Sequence, residues 1–317
     1  MARHPVPSAP VTITATPVSE AGRRSLLVNL FLSLRPAQWT KNLFVFAGLG
    51  FGLKLKDPVA VATASAAFGL FCLLAGVVYL VNDVRDRAAD QLHPEKSLRP
   101  IASGALSPST ALVAAAVIAA AALGGAFWLD RGFGFVALAY LALQGLYSTS
   151  LKHLIILDVL AIAMGFVLRA AAGAVVLHVK TSHWLLVLML LLALFLALSK
   201  RRAEIVALAD DATGHRRTLE HYSPYLLDQM IGVVTASTLL AYAFYTISPE
   251  TVAWFHTDNL VYTLPFPLYG IFRYLYLVHR REGGGNPSEI LLRDLPLAIC
   301  VGLWVVAVTV IIYGPWR

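Results

Sequence analysis

The sequence predicts an all-α polytopic membrane protein. Three observations carry that prediction. Hydrophobic residues make up 58% of the chain and charged residues only 14%; mean hydropathy is +0.70; and the apolar residues gather in runs close to the ~20 residues a bilayer core requires. For a soluble chain of 317 residues, length alone would suggest about two domains. Here the number of spans replaces the domain count.

Taken in order, residues 1–24 are rich in Pro, Ser, Thr and Ala, lack an apolar signal core, and read as a disordered tail. That leaves 25–317 as one transmembrane catalytic domain. The stretch SLLVNLFLSLRP, Ser25 to Pro36, is apolar but short and closed by proline, which suits an interfacial helix feeding the first span. Nine spans are expected, near 39–53, 58–81, 108–128, 132–149, 154–177, 183–199, 226–248, 261–279 and 296–313, the first and fourth being short. With the N-terminus inside, the segment up to Lys41 and the loops around 82–107, 150–153, 200–225 and 280–295 carry 18 of the 25 Lys and Arg residues. The positive-inside rule therefore turns those loops to the cytoplasmic face of an inner (plasma) membrane. Net charge is +7 and reads as a topology signal rather than a nucleic-acid footprint. Cys72 and Cys300 lie in apolar runs and suggest neither a disulfide framework nor a thiolate metal site.

The chemistry gathers at the end of the second span, in VYLVNDVRDRAADQLHPEKSLRP. On a helix continuing through Asp90, residues Asn82, Asp83, Asp86 and Asp90 fall at about 0°, 100°, 40° and 80°, and so share one face. Three carboxylates and an amide oxygen are hard donors suited to one or two Mg²⁺ ions bridging to a diphosphate. Lys96 and Arg99, a few residues on, can grip phosphate oxygens the metal does not reach.

Other polar residues stand at the same side. SKRRAE closes the sixth span with Lys200, Arg201 and Arg202; Lys200 and Glu204 are spaced for an i,i+4 pair, and topology anchoring is the simpler reading of the cations unless an anionic substrate lies beside them. Tyr147 and Lys152 in GLYSTSLK occupy ordinary interface-anchor positions. Asp158 and Arg169 lie within the fifth span, where ionisable groups are functional candidates; about 20° apart in projection and roughly 16 Å apart in height, they are expected to line one polar cavity. Lys41 and Asn42, in LRPAQWTKN with Arg35, Gln38 and Trp39, add a polar cluster at the first membrane entry. ALADDATGH, with Asp210, Asp211, Thr213 and Gly214, looks like a soluble phosphoribosyltransferase loop but lacks the strand such a loop follows, so a polar loop beside the site is the simpler reading. There is no H-E-x-x-H, G-x-S-x-G or Walker loop, and nothing suggests a covalent nucleophile.

N-D-x-x-D-x-x-x-D after the second span, R-P downstream, Y-S-x-x-L-K after the fourth and nine expected spans together resemble the UbiA superfamily of intramembrane prenyltransferases, over nearly the whole chain after residue 30. That resemblance implies a ring of nine helices around a lipid-open cavity, and normally a second aspartate motif after the sixth span. This chain has Lys200, Arg201, Arg202 and Glu204 there instead. With RPAQWTKN, NDVRDRAADQLHPEKSLRPIASG, RAAAGA, HRRTLEHYS and GGNPSEILLRD, the departure is similar to the decaprenyl-phosphate phosphoribosyltransferase branch.

The resemblance implies Mg²⁺-dependent transfer of 5-phosphoribose from phosphoribosyl diphosphate to a polyprenyl phosphate, in the service of lipid-linked arabinan for the cell envelope. It also implies Asp83, Asp86 and Asp90 as metal ligands supported by Asn82, and the cations as phosphate binders. The alternative is an aromatic prenyltransferase using a polyprenyl diphosphate. Partners are then the two substrates and the bilayer, with homo-oligomerisation left open.

Overall fold

The computed structural model describes residues 25–180, 182–208, 222–280, 290 and 293–314. The expected tail at 1–24, the Asp210–Gly214 stretch, HRRTLEHYS up to His221, and most of GGNPSEILLRD lie outside the described residues. Among those described, every regular element is helical.

Helix α1, Leu26–Ser33, is capped by Ser25, whose Oγ accepts from the Val28 N–H. It buries Asn29 and Ser33 and exposes Leu26, Leu27, Val28, Phe31 and Leu32, the reverse of a helix on a soluble protein. Such a helix suits the bilayer interface, as expected. A 3-10 segment, Pro36–Phe46, runs into α2, Ala47–Phe51. Next come α3, Pro58–Arg85; α4, Arg87–Gln91; α5, Pro108–Leu129; α6, Arg131–Thr149; α7, Leu157–Val176; and α8, His183–Leu208. The chain continues with α9, Pro224–Ile247; α10, Pro249–Phe255; α11, Pro265–Arg280; and α12, Leu295–Tyr313. The starts are written locally: Asp57, Ser107, Ser223, Ser248 and Asp294 cap helices that carry proline in the first turn.

Seven of these helices, α3, α5, α6, α7, α8, α9 and α12, are long and apolar enough to cross a membrane. They match seven of the nine expected spans, and the protein is an integral, multi-pass membrane protein. The other two differ. Residues 39–53 form the 3-10 segment and the five-residue α2 rather than one long helix, and 261–279 is a short 3-10 turn, Asn259–Thr263, followed by the 16-residue α11. Length and apolarity therefore do not confirm a count of nine. Proline sets the second departure, since Pro265 restarts the chain as α11; the first lies where the chain comes to backbone contact with α7.

The burial pattern is inverted relative to water-soluble proteins. Leu, Val, Phe and Trp side chains stand exposed along α5, α9 and α12, while Asn42, Asp83, Asp158, Arg169 and Arg201 are buried. Hydrocarbon outside and polar groups inside is the arrangement a lipid solvent selects.

Consecutive helices are neighbours: α3 packs on α5, α5 on α6, α6 on α7, α7 on α8 and α8 on α9. The chain ends meet, because Tyr313 donates to the Gly50 carbonyl at 2.8 Å and Trp254 to that of Phe51 at 3.0 Å. Inside this ring the 3-10 segment and α2 lie against α3 and α7. Gly48 and Gly173 make that approach feasible: a Cβ on Gly173 would fall 1.8 Å from the Val45 carbonyl oxygen, and one on Gly48 2.7 Å from the Gly173 backbone. Small residues let helices close to backbone contact in this way. The contact sets Asn42 beside Arg169.

Candidate functional site

The end of α3 carries the acidic residues. The helix breaks for one residue at Asp86, where φ is −91° and ψ 9°, so the continuous helix expected through Asp90 is interrupted. Its register nevertheless persists, because the Asp86 N–H donates to the Asn82 carbonyl and the Asp90 N–H to that of Asp86, both at 2.8 Å. Asp83 and Asp90, about 20° apart in projection, are both buried. Arg99 Nη1 donates to both, at 3.2 Å to Asp83 and 2.6 Å to Asp90. Arg35 also pairs with Asp83 and lies over the Tyr79 ring, 4.7 Å from its centroid.

The backbone of Arg35 is left-handed, φ 53°, at the turn joining α1 to the 3-10 segment. A non-glycine residue in that region carries strain, here at the point where its side chain reaches the acidic end. Asn82 is half-buried; Asp86 is exposed and its carboxylate makes no hydrogen bond among the described residues; Lys96 is exposed. No three Asp, Glu, His or Cys side chains converge among the described residues. Arg99 thus bridges two carboxylates while its side chain stays partly exposed.

A second charged cluster joins α7, α8 and α9. Asp158, fully buried, accepts from Arg201 Nε at 3.0 Å and from the Tyr222 hydroxyl at 2.9 Å. Tyr222 in turn accepts from the Ile156 N–H at 2.7 Å, where Ile156 holds a positive φ of 70°. Burial pushes the Tyr222 hydroxyl up to about 12, which keeps it protonated and donating. Arg201 Nη1 donates to Glu204 at 2.7 Å, and Lys200 lies 3.8 Å from the same carboxylate. Arg202 binds Asp228 through Nε and Nη2, at 2.5 and 3.3 Å. Of the three cations in SKRRAE, Arg201 and Arg202 are therefore already paired with carboxylates. Tyr147 lies near the end of α6, and Lys152 sits in the short turn Leu151–His153. Arg85 ties the end of α3 to the end of α6 by donating to the Ser148 carbonyl at 2.7 Å.

Arg169 belongs to a third group. Its Nε donates to Asn42 at 2.8 Å and its Nη2 to the Tyr140 hydroxyl at 2.9 Å, with its guanidinium over the rings of Tyr140 and Phe166. Asp158 and Arg169, expected to line one cavity, have no partner in common. Eleven residues of helical rise send each to a different level of the bundle.

Sequence reading missed the pairing of Arg35 with Asp83 and the parts played by Tyr140, Tyr222 and Asp228. Arg35 had a local signal, its place before Pro36. The rest depend on contacts between distant segments.

The sequence profile of the UbiA prenyltransferase family matches residues 43–292. A protein of Mycolicibacterium smegmatis named decaprenyl-phosphate phosphoribosyltransferase is 32% identical over 307 residues, which is 92% of this chain and 94% of that one. The protein of the same name from Corynebacterium glutamicum is 31% identical over 299 residues, 92% and 88% of the two chains. Among solved structures, a UbiA homolog from Archaeoglobus fulgidus bound to GPP and Mg²⁺ shares the fold, with a TM-score of 0.70 over 90% of this chain and 99% of that one at 19% identity.

Proposed function

This chain belongs to the UbiA prenyltransferase family and is a transferase, and from that premise we propose that it moves 5-phosphoribose from phosphoribosyl diphosphate to a polyprenyl phosphate of decaprenyl type, releasing diphosphate. The observation that carries the reading is the likeness, over about nine-tenths of both chains, to proteins named for that transfer. The chemistry of the interior supports it. The reaction brings a ribose phosphate, a diphosphate and a lipid phosphate together, and an α8 end whose carboxylates are balanced by Lys200, Arg201 and Arg202 repels them less than a second aspartate motif would.

The acidic end fits Mg²⁺. All its donors are oxygens, Asp86 is uncommitted, and Asp83 with Asp90 already share one cationic nitrogen of Arg99. Asp83, Asp86 and Asp90, supported by Asn82, would hold the ion. Bound there, Mg²⁺ supplies neutralisation of the charge that grows on the departing diphosphate as the anomeric C–O bond breaks. Arg35 and Arg99, partly exposed beside the carboxylates, donate to phosphate oxygens. Lys41, Lys152 and Lys200 are further phosphate donors, and Arg201, Arg202, Asp158 and Glu204 act by holding the α8 end in place. The acceptor phosphate is already ionised, so no side chain need act as general base. In-line attack inverts the anomeric carbon and gives a polyprenyl-phosphoryl-phosphoribose, made at the cytoplasmic face of the inner membrane for envelope arabinan.

The test is label transfer by purified protein in nanodiscs with Mg²⁺. Label is expected to pass from phosphoribosyl diphosphate to polyprenyl phosphate and not from a prenyl diphosphate to a phenol. Transfer in the second assay alone overturns the proposal.

A further inference from the structure

Arg169 is 6% exposed, yet every group it is hydrogen-bonded to is neutral. No carboxylate lies within 4.0 Å of it among the described residues, although Asp83, Asp90, Asp158, Asp228 and Asp294 are each paired with a guanidinium. Its third nitrogen, Nη1, makes no hydrogen bond among those residues. A charged group placed at depth in a membrane protein without a counter-ion is costly, and such groups mark binding sites.

A second donor reaches the same place, and a further cation lies near it. A Cβ built on Gly165 would stand 3.4 Å from Arg169 Nη1 and 3.2 Å from Gln144 Nε2, so the missing side chain leaves the space these two nitrogens border. The Gln144 amide also makes no hydrogen bond among the described residues. Lys41, next to Asn42, makes no hydrogen bond or ion pair there either, and the charges acting on it are the cations Lys200, Arg169 and Arg35. Uncommitted donors on α6 and α7 thus border one space, and Lys41, on the 3-10 segment beside Asn42, adds a positive charge near Arg169 that is unpaired among the described residues.

We propose that Arg169, Lys41 and Gln144, braced by Asn42 and Tyr140 and given room by Gly165, form a phosphate monoester pocket separate from the diphosphate end at Asp83. A dianionic monoester offers three terminal oxygens to guanidinium, ammonium and amide donors, and neutralises the charge the fold leaves uncompensated. The inference deepens the reading above, on which it rests for the source of the phosphate. Ribose 5-phosphate and the head of a polyprenyl phosphate present the same chemistry.

The deciding variant is Lys41→Gln, which breaks no hydrogen bond among the described residues and so leaves the fold's bracing intact; Gly165→Ala, which intrudes on the space, is the second. Binding of ribose 5-phosphate and of geranylgeranyl phosphate is measured on nanodisc-embedded protein in EDTA, with Mg²⁺-diphosphate binding as the control. Wild type is expected to bind at least one monoester without metal. Lys41→Gln is expected to weaken that binding at least ten-fold and Gly165→Ala at least three-fold, with diphosphate binding changed less than two-fold. Loss confined to ribose 5-phosphate assigns the pocket to the donor sugar; loss confined to the lipid assigns it to the acceptor. No monoester binding by wild type, or unchanged affinity for both ligands in both variants, overturns the pocket. Binding through Lys41 without product formation leaves the pocket standing and sinks the proposed transfer, whereas turnover with unaltered variant affinities sinks the pocket alone.

Discussion

The ends of α3 and α8 both gather buried carboxylates against arginines, and they differ in how firmly the arginines are held. At α3 the guanidiniums of Arg35 and Arg99 come from outside the helix and remain 26% and 29% exposed. At α8 the pair Arg201–Asp158 is buried on both sides, 6% and 0% exposed. Guanidiniums with a face still open can turn to an incoming anion. A pair sealed among three helices cannot do so without breaking the fold. Charge compensation in the free protein is thus common to both ends, and accessibility separates a site from a brace.

The largest expected effect tests the α3 side. Asp83→Asn with Asp86→Asn should lower turnover by about 10³-fold or more, the scale on which charge-stabilising groups act, while the protein still inserts and folds. Label transfer per folded molecule measures it; turnover within ten-fold of wild type would remove Asp83 and Asp86 from the metal role. The next effect tests the brace. Asp158→Asn leaves buried Arg201 with only the half-buried Glu204 as a charge partner and should cost about 3 kcal/mol of stability, read by denaturant unfolding in micelles. If instead stability holds and only substrate affinity falls, α8 is a site after all.

Legibility in the sequence follows the same division. Local features were readable. The apolar runs near 58–81, 108–128 and 296–313 announced spans, and the spacing of Asp83 and Asp90 placed them on one face. Features that need a second segment were not. That Arg99, read as a phosphate ligand, also bridges Asp83 and Asp90 depends on the fold, as does the hold of Asp228 of α9 on Arg202. Asp158 and Arg169 share a helical face but no partner, because each level of α7 meets different segments. The 3-10 course of Pro36–Phe46 follows from the backbone contact at Gly48 and Gly173, which no local pattern encodes.

A smaller effect sharpens the brace through pH. Tyr222→Phe removes a hydroxyl that donates to Asp158 and accepts from Ile156, at a cost of about 1.5–3 kcal/mol for a hydrogen bond to a charged group. The ordinary tyrosine value is about 10, and burial raises that of Tyr222 to about 12. A raised value means the folded state favours the protonated form, so this contribution is complete below about pH 10 and is lost as pH rises through about 12. The stability gap between wild type and Tyr222→Phe should therefore be flat from about pH 6 to 9 and close above pH 10. A gap already closing between pH 6 and 8 would mean that another group controls the brace.

The smallest effect asks where the brace stops. Arg202 holds Asp228 with two hydrogen bonds, and His279 Nε2 stands 3.3 Å from the same carboxylate. Geometry alone would rank this pair with Arg201–Asp158. Exposure argues otherwise, because the Asp228 side chain is 38% exposed and that of Arg202 15%. Water reaching the carboxylate screens the attraction and resolvates the partner left behind, so Asp228→Asn should cost less than about 1 kcal/mol. Added salt should shrink that cost further, whereas the loss from Asp158→Asn should be nearly indifferent to salt. Unfolding of both variants at low and high NaCl makes the comparison directly. Equal, salt-independent losses would show that the whole α8 end is sealed, and that neither Arg201 nor Arg202 is open to a phosphate.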